Sequence, residues 1–149
     1  MRNRKIFTDL TVALLIVLFL HTSLSKFLDF KGFVFDLNNQ PFPNSYTPFL
    51  SCFIPSVEIA IVLGLLFEKT RGIALFASLF LMVAFTIYTS LVLLGFFDYV
   101  PCSCGGVVSY LNWTQHFFFN LFFVAITTAA ILFRNNKNSD NLTFYGTEK

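Results

Sequence analysis

Charge is what this chain has least of. Its 149 residues include 10 Lys and Arg and 8 Asp and Glu, 12% charged in all, about half of what the surface of an ordinary soluble domain needs. That scarcity excludes a soluble globular protein. The net charge of +2 and the lack of a basic stripe exclude a nucleic-acid partner, and the chain has no Gly-rich phosphate loop and no long internal repeat. Arg2, Arg4 and Lys5 precede the first apolar run as they would in a signal peptide, but no small-x-small cleavage site follows it. The run reads as a retained first helix. Cysteine is also scarce, at three residues, yet two of the three stand side by side but one.

Apolar residues fill the space that charge leaves. They make up 56% of the chain, with 22 Phe, and the mean hydropathy is +0.71. A helix needs about 20 mostly apolar residues to cross a bilayer, and Ile6 to Ser25, Phe49 to Phe67, Ile73 to Phe97 and Thr114 to Phe133 each supply such a run. The expected fold is all-α, an antiparallel four-helix transmembrane bundle over residues 1–134. Glu68 to Gly72 is short enough to make the second and third spans a hairpin, and Asn112 with Gln115 forms a capping-box pattern at the fourth. Phe27 to Leu50, interrupted by Asn38, Asn39, Gln40 and Asn44, is too polar to cross and is expected to lie at the surface as a lid. Residues 135–149 are polar and expected to form a disordered tail.

The basic residues orient the bundle. With four alternating spans, Arg2, Arg4, Lys5, Lys69, Arg71, Arg134, Lys137 and Lys149 share one side and Lys26 and Lys31 take the other, which puts both termini in the cytoplasm. Cys52, Cys102 and Cys104 then all face the oxidising side, where disulfides persist. The expected location is the bacterial inner membrane, with the cysteines periplasmic.

The loop Pro101-Cys102-Ser103-Cys104-Gly105-Gly106 carries the chemistry. Two cysteines so close can join only through a sharp bend, because their Cα atoms otherwise lie near the limit of about 6.8 Å. Gly105 and Gly106 give the backbone that freedom. A strained, exposed disulfide is easily reduced, and the start of the fourth span together with His116 would favour a nearby thiolate. A redox pair is therefore one reading, with Cys52 as a relay thiol and His116 as thiolate stabiliser. Two others stand beside it: a structural staple involving Cys52, and soft-metal ligation with His116. No metal is assigned.

Polar residues within the spans are a second signal, since each tends to face the bundle interior. Glu58 lies near the middle of the second span, where a carboxyl must be paired, protonated or hydrated. His21 and Ser25 share one face of the first span, Thr86, Thr89 and Ser90 one face of the third, and His116 and Asn120 one face of the fourth. A polar pocket beneath the cysteine loop, with Glu58, His21 and Asn120 as ligand-binding residues, would hide them from lipid. Interhelical hydrogen bonding without chemistry is the bland alternative.

Taken together these pieces resemble the MauE branch of the DoxX-like membrane proteins. The resemblance rests on Ser25-Lys26-Phe27-Leu28-Asp29-Phe30 with Phe33, on Ile54-Pro55-Ser56-Val57-Glu58, and on Cys102-Ser103-Cys104-Gly105-Gly106 followed by Trp113, His116 and Asn120. Gly106 stands where many relatives carry Phe. The resemblance implies a four-helix inner-membrane protein, required in methylamine utilisation for maturation of a disulfide-rich periplasmic subunit, with DoxX relatives linked to sulfur-compound oxidation and to quinones. Two functions follow as expectations. One is a thiol–disulfide oxidoreductase working between a periplasmic thioredoxin-like partner or disulfide-containing client and either a quinone or a cytoplasmic donor; the other is a non-enzymatic accessory or assembly subunit of an envelope complex.

Overall fold

A computed structural model of the chain describes residues 2–97 and 112–145, with side chains for 3–97 and 112–134. Each apolar run closes its backbone hydrogen bonds within itself as a helix, which is what hydrocarbon demands of a spanning segment. The elements are α1 (Arg2–Leu28), α2 (Phe30–Asn38), a 3-10 turn (Asn44–Tyr46), α3 (Thr47–Leu66), α4 (Arg71–Leu93) and α5 (Trp113–Tyr145). Four of them, α1, α3, α4 and α5, are long and apolar enough to cross a membrane.

The helix ends show where local chemistry overrides the apolar pattern. The third run was expected to continue to Phe97, but α4 stops at Leu93 because Gly95 adopts φ 71°, the left-handed turn that closes a helix. At the α3–α4 hairpin, Thr70 Oγ1 donates to the Gly64 carbonyl (2.8 Å) and Arg71 Nε to that of Leu65 (3.3 Å), which satisfies two orphan acceptors. The expected capping box opens α5: Gln115 N–H donates to Asn112 Oδ1 (2.9 Å) and Asn112 N–H to Gln115 Oε1 (3.0 Å). The helix then runs on through residues 135–145 of the expected tail.

Packing closes the four spans into a ring in which α1 touches α3 and α5, and α4 touches the same two. Each helix buries one stripe. On α1 it comprises Val12, Leu15 and Phe19, which meet Ile61 and Leu65 of α3, Leu75 of α4 and Phe123 of α5. Large apolar residues such as Val17, Ile73, Phe76 and Phe80 point outward, the face that lipid would cover. At the hairpin the two backbones approach so closely that a Cβ on Gly64 would lie 2.9 Å from that of Ala74.

The end at which α1 finishes and α5 begins, here the upper end, is stepped. Ser23 of α1 lies level with Pro55 and Glu58 of α3; above that level α1 has about 8 Å left and α3 about 12 to 16 Å, at about 1.5 Å per residue. The short helix α2 occupies the step. Asp29 caps it by accepting from Gly32 N–H (3.0 Å), and Phe33 and Leu37 are its buried face.

Candidate functional site

The buried stripe of α1 does not stay apolar. One turn above Phe19 it continues with Ser23 and then Lys26, 1% and 7% exposed, and the facing stripe of α3 carries Glu58 at 1%. Lys26 Nζ and Glu58 Oε1 form an ion pair at 2.5 Å. Ser23 Oγ donates to the other carboxylate oxygen (2.9 Å) and lies 3.5 Å from the Pro55 carbonyl. The ring of Phe33 in α2 sits 5.7 Å from the ammonium. Both charges are thus neutralised and hydrogen-bonded, the condition under which a buried pair offsets its desolvation.

Beside this pair is a cavity of about 270 Å³, close to the lower bound of about 300 Å³ for ligand pockets. Its walls are mainly apolar, with Phe19, Leu37, Ile54, Met82, Phe85 and Phe119 among them, and Lys26, Glu58, His116 and Asn120 also reach it. His116 is 1% exposed, and its Nε2 has no hydrogen-bond partner among the described residues. A buried nitrogen without a partner among the described residues, in a mainly apolar wall, is costly, which makes it a functional signal.

The cavity's upper rim is aromatic. Tyr88 of α4 hydrogen-bonds through its hydroxyl to the Gln40 carboxamide oxygen, just beyond α2, and packs against Phe97 (6.4 Å between centroids) and Trp113 (6.2 Å). Trp113 in turn lies 6.4 Å from His116. Phe97 and Trp113 flank the segment that carries Cys102 and Cys104, so both ends of that segment meet at the rim.

The residues singled out from sequence divide into three groups. Glu58, His116 and Asn120 come together on the cavity wall. His21 is exposed on α1 and is not on that wall, and Cys52 is a free, exposed thiol on a different face of α3 from Glu58. Cys102 and Cys104 lie outside the described residues. Thr86, Thr89 and Ser90 donate to carbonyls of their own helix, Met82, Phe85 and Thr86, rather than bridging to a neighbour.

Sequence reasoning missed Lys26, Ser23, Gln40 and Tyr88. Lys26 enters the sequence reading as a charge on the minority side and as part of the Ser25–Phe30 stretch, not as a site residue. A signal was available, because Ser23 and Lys26 extend the Val12, Leu15, Phe19 stripe at helical spacing, which implies a partner across the bundle.

Matching the sequence against known families decides what kind of bundle this is: the family described as Methylamine utilisation protein MauE matches residues 4–133. The chain belongs to the MauE family. The matched stretch takes in α2 and nearly the whole of the four spans, so the capped cavity of this MauE-family chain is built entirely within it. No curated protein and no solved structure matches the chain.

Proposed function

We propose that this MauE-family membrane protein supports the maturation of exported disulfide-containing proteins by thiol–disulfide exchange at Cys102 and Cys104. The observation that carries the reading is the rim: Phe97 and Trp113, on either side of the cysteine segment, both pack on Tyr88 above the cavity. In this reading the thiols work close to the cavity's mouth. With the basic lower end in the cytoplasm, that mouth faces the periplasm. The partner is a thioredoxin-like protein or the client itself.

In the exchange, a thiolate of the reduced partner attacks one sulfur of the Cys102–Cys104 disulfide, breaking that S–S bond and forming a mixed disulfide. The partner's second thiolate then attacks the mixed bond, so the partner leaves oxidised and the pair is left as a dithiol. Regenerating the pair removes two electrons and two protons. In this reading a quinone is the acceptor of these, supported by the mainly apolar walls and by His116, whose Nε2 has no hydrogen-bond partner among the described residues; Asn120 and Lys26 are the other polar residues that would hold it. Such a group supplies two-electron, proton-coupled oxidation. In this reading His116 also favours the thiolate, and Cys52, exposed near the start of α3, relays exchange at the surface.

The exchange also runs in reverse, and a single Cys102→Ser or Cys104→Ser variant keeps one thiolate that can attack the disulfide of the oxidised partner; that S–S bond breaks as the mixed disulfide forms, and the pair's missing member can no longer release it. We expect one of the two variants to accumulate a reductant-sensitive adduct with a periplasmic protein, seen as a shifted band on non-reducing gels. If neither variant traps a partner and the double variant still complements a deletion, the chain is a membrane accessory subunit whose cysteines staple a loop.

A further inference from the structure

The cavity wall is unusual in its electrostatics. Among the described residues its only formally charged side chains are Lys26 and Glu58, and they are spent on each other at 2.5 Å. Ser23 occupies the second carboxylate oxygen, and the Phe33 ring lies over the ammonium. Among the described residues the wall therefore presents no net charge, and His116, which lines it, has a buried Nε2 without a hydrogen-bond partner. The other buried unpartnered atoms among the described residues, the hydroxyl oxygens of Thr47 and Thr127, lie off the wall.

We infer that the Lys26–Glu58 pair acts as a charge filter, so that the cavity takes uncharged lipophiles with one hydrogen-bonding hydroxyl or carbonyl head, held at His116, and refuses anionic amphiphiles of the same shape. A lone lysine in this position would do the opposite. The bilayer is full of acidic amphiphiles, and a buried ammonium facing an apolar slot would capture their head groups through a charge-assisted hydrogen bond. Glu58 cancels that attraction, and an acidic head entering beside the carboxylate would be repelled and left without its water. The filter rests on the reading of the cavity as a ligand site, but not on any thiol chemistry.

Trp113 makes the filter measurable, since it is the chain's single tryptophan and lies 6.4 Å from His116. The probes are a dibrominated decanol and its sulfate ester, which share a bromine-bearing tail that quenches tryptophan and differ only in head-group charge. The protein is reconstituted in zwitterionic nanodiscs with Cys102 and Cys104 both changed to Ser, so failure of the redox reading leaves the measurement intact. The alcohol should quench Trp113 saturably and the sulfate only in proportion to its partitioning. Changing His116 to Ala should abolish the saturable component. Glu58→Gln, which leaves Lys26 unpaired, should raise affinity for the sulfate by about tenfold or more. The double variant Lys26→Met with Glu58→Gln should again take the alcohol and refuse the sulfate, and it decides the matter if the single variant does not fold. Saturable binding of the sulfate to the unaltered wall, absence of saturable alcohol binding, or acceptance of the sulfate by the double variant would each overturn the filter.

Discussion

Lys26 and Glu58 are partners, but they are not equally dependent on each other. Lys26 stands close to the end of α1, and when the Glu58 charge is lost its long aliphatic stem lets the ammonium keep its place at the cavity wall while reaching interfacial water or an anionic head group. Glu58 stands mid-span in α3, 1% exposed, with Ser23 as its other hydrogen-bond donor. Losing Lys26 therefore strands a charge, whereas losing the Glu58 charge releases one. Removing one partner of a buried pair typically costs about 3–5 kcal/mol. We expect Lys26→Met to fall in that range and Glu58→Gln to cost less than half as much, measured by chemical unfolding in nonionic detergent. The double variant should recover most of the Lys26→Met loss, because both charges are then gone. Equal losses in the two single variants would mean that the lysine cannot snorkel.

At the scale of elements, α2 and the α3–α4 hairpin depend on single small features. A helix as short as α2 is marginal alone, so its order rests on the Asp29 cap and on the burial of Phe33 and Leu37. Asp29→Ala should cost about 1 kcal/mol locally, which speeds amide hydrogen exchange in α2 about fivefold and leaves the spans unaffected. Gly32→Ala should act similarly, since the added Cβ falls on the Asp29 carboxylate. Unchanged exchange in both variants would show that packing alone holds α2. The hairpin is tighter. A Cβ on Gly64 meets Ala74 at 2.9 Å, so Gly64→Val should separate α3 from α4 and lower the melting temperature, while Ala74→Gly in the same chain should restore part of it. No such rescue would place the strain elsewhere.

For the whole molecule, the bias of basic residues predicts one insertion. The lower end holds Arg4, Arg71 and Arg134, with Arg71 paired to Asp9 (3.2 Å) and Arg4 over the Phe133 ring, whereas Lys26 at the upper end is neutralised by Glu58. Subtracting that pair leaves the asymmetry still steeper. In a Cys52→Ser chain a membrane-impermeant maleimide should label reduced Cys102 or Cys104 in spheroplasts; labelling only after permeabilisation would invert the topology. This much is written in the sequence. Four spans, their hairpin and the Asn112 capping box depend on composition, length and neighbours within a turn, which a linear reading sees directly. So does the tendency of Glu58, His116 and Asn120 to face inward, because hydrocarbon gives a polar group few alternatives. Which of them meet could not be read this way. Lys26 and Glu58 are 32 residues apart, His21 proves to sit off the cavity wall although it shares a helix with Lys26, and Gly95 ends α4 short of its apolar run. The sequence by itself determined what must be buried, through the cost of polarity in lipid; only the tertiary structure decided what it is buried against, because the pairing depends on how helices rotate and step past one another, and no local spacing encodes that.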